Sequence, residues 1–176
     1  GTNKLTLVLQ DLMITSDAER YGKVRLGTGA RIEDTESNRT YITKGGLQVD
    51  GWIYGTTDTA FAHANGSTVA LLNDWYYDND AKGAVRVPED ASYGSAVLDL
   101  GGHEISYYMF NAAVQLGDYA STAKDGISRT LTISNGTISS KGIVGGAACA
   151  FVGGSNKTLI LNGVTMRTKS DTHGGI

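Results

Sequence analysis

The chain has one cysteine, Cys149, and one proline, Pro88, in 176 residues. No disulfide can close within it, so its stability has to come from packing. That suits a cytosolic protein and equally a bacterial surface protein built without disulfides. With proline nearly absent, corners fall to Gly, Asn and Asp, and the 24 glycines are about twice the usual share. Charge is sparse as well. At 19% charged residues and a net charge of −3 there is no basic footprint for nucleic acid and no attraction to an anionic membrane. Long apolar runs are missing too: the stretch from Ile143 to Gly154 is too short and too glycine-rich to span a bilayer.

What is present is a repeat. Leu131-Thr132-Ile133-Ser134-Asn135-Gly136-Thr137-Ile138 returns as Leu159-Ile160-Leu161-Asn162-Gly163-Val164-Thr165-Met166. Alternation of apolar and polar residues marks a strand with one buried face, and Asn-Gly supplies the positive φ of a sharp corner. Counted from the first apolar residue, the apolar positions are 0, 2 and 7. The same template fits Leu98, Leu100 and Ile105, then Leu47, Val49 and Tyr54, and Leu7, Leu9 and Ile14. It fits Val69, Leu71 and Tyr76 more loosely, and Val24 and Leu26 share its first two positions. A strand–corner–strand unit recurring at this spacing predicts a solenoid, all-β, as a single domain over residues 1–176. In that alignment Leu131 lies between Leu98 and Leu159 in one interior stack. Further strands are expected at Thr40–Thr43, across Ala84–Pro88, where the proline allows only a strand end, and at Ala112–Leu116. Thr56 to Ala64 fits either a short helix or an irregular segment. Neither end shows an amphipathic helix or a polar cap. The expectation is therefore a piece of a longer solenoid, or open ends that stack head to tail on other copies of the chain.

The phrase Leu98-Asp99-Leu100-Gly101-Gly102-His103-Glu104-Ile105-Ser106 resembles the L-D-L-N-G-H-x-I-S phrase of right-handed parallel β-helix proteins of the pectate-lyase-like superfamily. Val69 to Asp74 and Val85 to Pro88 before it, and Leu131 to Ile138 and Gly174-Gly175-Ile176 after it, are similar to segments of large surface or secreted proteins of Gram-positive bacteria. The resemblance covers residues 65–176, and it implies a right-handed parallel β-helix of about seven rungs. It also implies an extracellular, cell-surface location and a non-catalytic structural or adhesive role, with other copies or flanking segments as end-to-end partners. The alternative is a glycan-binding or polysaccharide-cleaving domain, because one such fold carries lyases, adhesins and inert stalks alike. Gly101 stands where the family has Asn, which interrupts any ladder of stacked asparagines.

Residues that carry chemistry are few. Asp99 points outward by strand parity, but the neighbouring rungs offer no second carboxylate beside it. Asp11, Asp74, Asp78, Asp80 and Glu104 complete the acidic candidates. Asp78-Asn79-Asp80 has Ca²⁺-like spacing without the Gly and distal Glu of an EF-hand loop, and reads as a turn. His103 reads as a corner residue. His63 and His173 have no ligand partners beyond Asp171. Cys149, in an apolar run, reads as core. No nucleophile elbow or phosphate loop occurs, so no catalytic residue, metal or cofactor is assigned. The ligand-binding candidates are aromatic. With Tyr76 inward, Trp75 and Tyr77 face out, and with Tyr108 they offer rings for sugars to stack on. A slip of one residue would instead bury Trp75 and Tyr77.

Overall fold

The structure, a computed structural model, describes residues 22–78, 83–88, 91–108, 111–117, 128–141 and 149–168. Strands dominate and the fold is all-β. The predicted first rung at Leu7, Leu9 and Ile14 lies outside the described residues.

The N-terminal part is antiparallel, contrary to the repeat reading. β1 (Arg31–Glu33) is followed by the short helix α1 (Glu36–Arg39), β2 (Leu47–Val49), β3 (Trp52–Tyr54) and α2 (Thr57–Ala64). β2 and β3 form a hairpin, with Leu47 opposite Tyr54 and Val49 opposite Trp52, and β1 adds to the far side of β3. The connection is Asp50-Gly51, with φ of 50° and 77°. A two-residue loop that is left-handed at both positions matches the strand twist and turns the chain back on itself. Leu47 to Tyr54 is therefore a hairpin and not a rung. Val24 and Leu26 lie in no strand, and Thr40–Thr43 is a turn and an irregular segment following α1. α1 is capped by Thr35, whose Oγ1 accepts from Asn38 N at 3.1 Å. The Arg39 guanidinium donates to both Asp34 oxygens at 2.5 and 2.7 Å and holds that carboxyl below its ordinary value.

Among the described residues, the strands from Thr68 onward pair with one another in parallel, in successive tiers. The first tier is β4 (Thr68–Leu71), β5 (Trp75–Tyr77) and β6 (Val85–Val87), and the second is β7 (Ser95–Asp99), β8 (Glu104–Tyr107) and β9 (Val114–Leu116). The third is the long bent strand β10 (Arg129–Ser140) with β11 (Ala150–Val152), and β12 (Lys157–Thr168) opens a fourth. β4, β7 and the first halves of β10 and β12 make one parallel ladder. β5, β8 and the second halves of β10 and β12 make the next, and β6, β9 and β11 the third. Four tiers are described where about seven rungs were expected. The strands expected across Ala84–Pro88 and Ala112–Leu116 are present in shorter form, as Val85–Val87 and Val114–Leu116.

The register of β10 on β12 follows the repeat, with Leu131 on Leu159, Ile133 on Leu161 and Ile138 on Met166. The neighbouring register does not. Leu98 pairs with Ile133, and Leu131 pairs with Ala96. The cause is corner length. Asn135 and Gly136 join the halves of β10, whereas Leu100-Gly101-Gly102-His103 separates β7 from β8. That loop closes on itself through His103 N donating to Leu100 O at 2.8 Å. It sits so close to the next tier that a Cβ on Gly136 would lie 2.5 Å from both Leu100 Cβ and His103 O, so the crossing tolerates only glycine. The left-handed corner residue is Asn135 (φ 58°) in the third tier and Gly163 (φ 64°) at the matching place in the fourth. Among the described residues no asparagine ladder runs through the corners. Asn135 Nδ2 instead donates to Asp99 Oδ1 at 3.1 Å.

The core lies between the ladders as stacks of like residues: Val69, Leu98, Ile133 and Leu161 in one, and Trp75, Ile105, Ile138 and Met166 in another. Val85, Val114 and Ala150 line the third ladder. The rim of the first tier is covered along β4, at the corner before β5 and at β6, so a cap exists where none was expected, while β5 itself ends its sheet. β2 pairs with β4. Gly45 N donates to Asp74 O at 2.8 Å, Leu72 N to Gly46 O at 3.0 Å and Asn73 Nδ2 to Ile42 O at 2.6 Å. At β6, Thr57 Oγ1 donates to Ala84 O and accepts from Arg86 N, both at 3.0 Å. α2 buries Ala60, Phe61 and Ala64 against this end.

Candidate functional site

Alternation along β5 and β8 sends Tyr76, Glu104 and Ser106 outward on the second ladder, in line with Thr137 and Ser139 of β10. Glu104 Oε1 accepts from Ser106 Oγ at 3.1 Å and from Ser139 Oγ at 2.5 Å, which fixes the carboxylate against two tiers. Beside it the rings of Tyr76 and Tyr108 stack at 6.1 Å between centroids, 29° from parallel. At the corner above, Asp74 Oδ1 accepts from Glu104 N at 2.9 Å and lies 3.4 Å from His103 Nδ1. His103 is thus the corner residue it was read to be. Lys141 follows Ser140 in line with Tyr108, and Arg167 pairs with Ser139.

Of the three predicted ligand-binding aromatics, this strip contains one. Tyr108 is 38% exposed. Trp75 and Tyr77 are each 8% exposed and belong to the core, so their predicted outward orientation is corrected. Trp75 pairs with the inward Ile105 and meets Tyr77 edge-on at 5.1 Å, and Tyr77 stacks on Tyr107. Trp75 and Tyr77 share one parity of the strand and take the inward positions, which leaves Tyr76 on the outward face. What little of Trp75 and Tyr77 is accessible forms the floor of a small cleft under Arg25, Leu26 and Lys44. The sequence reading missed Tyr76 and the Glu104–Ser106–Ser139 cluster. The alternation of Glu104 with Ile105 was the signal that places them.

The other candidates are structural. Asp99 faces out as expected, flanked in register by Ala70 and Ser134, and its Oδ1 is taken by Gly101 N at 3.0 Å and by Asn135. Asp78 lies 3.6 Å from Arg25, and the His63 ring stacks on Tyr54 at 5.1 Å. Cys149 is buried and its Sγ donates to Arg167 O at 3.0 Å. Burial pushes its thiol up, which suits core and not a nucleophile. Asp11, Asp80, Asp171 and His173 lie outside the described residues. Among the described residues no group of three or more His, Cys, Asp or Glu is placed to hold a metal, and no helix is long and apolar enough to cross a membrane.

A second feature is the rim opposite the cap. β12 pairs with β10 on one edge, and among the described residues no strand lies on its other edge. Inward residues that are sealed one tier earlier are open here. Ile133 is fully buried, whereas Leu161, which continues its stack, is 39% exposed, and Val152 on β11 is 45% exposed. No protein-family model, curated protein or solved structure matches the chain.

Proposed function

We propose that the chain is a stretch of right-handed parallel β-helix that acts as a structural or adhesive module of a bacterial surface protein, without catalysis of its own. The observation that carries this reading is the set of three parallel ladders with stacked apolar interiors, covered at β4 and β6 by the N-terminal part and repeating through to β12. A spacer built this way is modular, because each tier contacts only its neighbours. Duplicating residues 129–156 in tandem is expected to give a folded protein longer by about one strand spacing, ~4.8 Å, in small-angle scattering. An inserted tier that unfolds the chain, or leaves its length unchanged, contradicts the proposal.

A second reading, glycan binding, is favoured by the Tyr76–Tyr108 pair beside the fixed Glu104 carboxylate. If a glycan array returns a binder, Tyr108→Ala is expected to weaken it about five-fold, the worth of one aromatic contact near 1 kcal/mol. Unchanged affinity in that variant would place the binding elsewhere.

A further inference from the structure

Asn65, Asn135 and Asn162 are each followed directly by glycine. Such pairs are chemically reactive, because glycine carries no side chain to hinder its amide nitrogen. That nitrogen attacks the asparagine Cγ, the side-chain amide leaves as ammonia, and a cyclic imide forms. Water then opens the imide at either carbonyl, giving aspartate or isoaspartate. Apart from that water, no co-reactant is needed. From the structure we infer that Asn65 is the site of spontaneous deamidation in this protein, that Asn135 is protected from it, and that the change at Asn65 loosens the cap.

The sites differ in what holds them. Asn65 ends α2 in the left-handed conformation (φ 47°), and Gly66 follows at φ 90°. Both are exposed, and among the described residues neither the Asn65 side chain nor the Gly66 amide has a hydrogen-bond partner. A Cβ on Gly66 would meet only Ser95 Oγ, at 3.5 Å, so the pair has room to rearrange. Asn135 is exposed as well, but it is clamped. Its Nδ2 donates to Asp99 Oδ1, its carbonyl accepts from Gly102 N at 2.6 Å, and Gly136 is wedged against Leu100 and His103. Bringing Gly136 N onto Cγ would pull the side chain and the peptide away from these partners. Asn162-Gly163 is held in β12 by its pairing with β10. The product at Asn65 matters because of its place. It sets a carboxylate at the C-terminus of α2, where the helix dipole disfavours negative charge. The isoaspartate form also lengthens the backbone at the turn that Asn65 N closes onto Phe61 O. α2 carries Thr57 to the edge of β6, so loosening the helix frees that edge.

Peptide mass mapping of the folded chain, aged in mildly alkaline buffer, tests it. The mass gain of amide-to-acid conversion should appear first at Asn65. At Asn135 it should be at least about ten-fold slower than in the chain unfolded in guanidinium chloride, the worth of one clamping hydrogen bond. At Asn65 folding should make little difference to the rate. In the aged protein the Arg86 amide, which donates to Thr57 Oγ1, should exchange its hydrogen faster. Asn65→Gly keeps a left-handed helix end and removes the reactive amide, so the aged variant should show neither change. No mass gain at Asn65, or a gain at Asn135 or Asn162 ahead of it, would overturn the inference. So would deamidation of Asn65 that leaves the exchange of the Arg86 amide unchanged.

Discussion

Trp75→Ala is expected to lower stability by about 3–5 kcal/mol, the usual cost of removing a buried large aromatic side chain. The indole is packed from several sides. Its Cα partner is the fully buried Ile105, Tyr77 meets it edge-on, and Gly45 lies so near that a Cβ there would come within 2.7 Å of the indole Cδ1. The Gly45 backbone is itself pinned by Gly45 N donating to Asp74 O, so this wall cannot move in to fill the space. The neighbouring Tyr76→Ala, outward on the same strand, should cost no more than about 1 kcal/mol, as surface changes do. Urea melts of the two variants check the pair. Equal losses, or a larger loss at Tyr76, would mean that the strand is turned over.

Leu98→Ala should cost about 3–5 kcal/mol by the same measurement. Leu98 is fully buried between Val69 and Ile133, and both neighbours belong to strands whose hydrogen bonds fix their spacing. The cavity would therefore stay open, and the cost scales with the volume that cannot collapse. Leu161→Ala removes the same atoms from the same stack at the open rim, where the residue is already 39% exposed. In dilute solution it should cost less than half as much. A loss at Leu98 no greater than at Leu161 would contradict the order of the stack.

The alternation of apolar residues carried the all-β class, the pairing of β10 with β12, and the strands at Val85–Val87 and Val114–Leu116. It could not carry register, because register depends on corner length. The step from the second inward residue to the third is five from Ile133 to Ile138, seven from Leu98 to Ile105 and six from Val69 to Trp75. A corner two residues longer keeps parity and changes only the partner, which is why Leu98 looked like the neighbour of Leu131. A corner one residue longer reverses parity, and that exchanged Trp75 and Tyr77 with Tyr76 in the candidate site. The hairpin at Asp50-Gly51 was hidden for a related reason. Asp-Gly and Asn-Gly give the same local signal, but at Asn135-Gly136 only the first residue is left-handed and the strand bends, whereas Asp50 and Gly51 both are and the chain reverses. Nothing in the residues of α2 alone announced a cap; its role comes from Thr57 meeting the edge of β6.

The central claim is that β10 runs parallel between β7 and β12 in one defined register. Backbone nuclear Overhauser contacts across the strands test it most directly. The structure predicts amide-to-Hα contacts of a parallel ladder linking Leu131 with Ala96 and Leu159, and Ile133 with Leu98 and Leu161. Close Hα–Hα contacts between these strands, the mark of antiparallel pairing, or contacts joining Leu131 to Leu98, would contradict it.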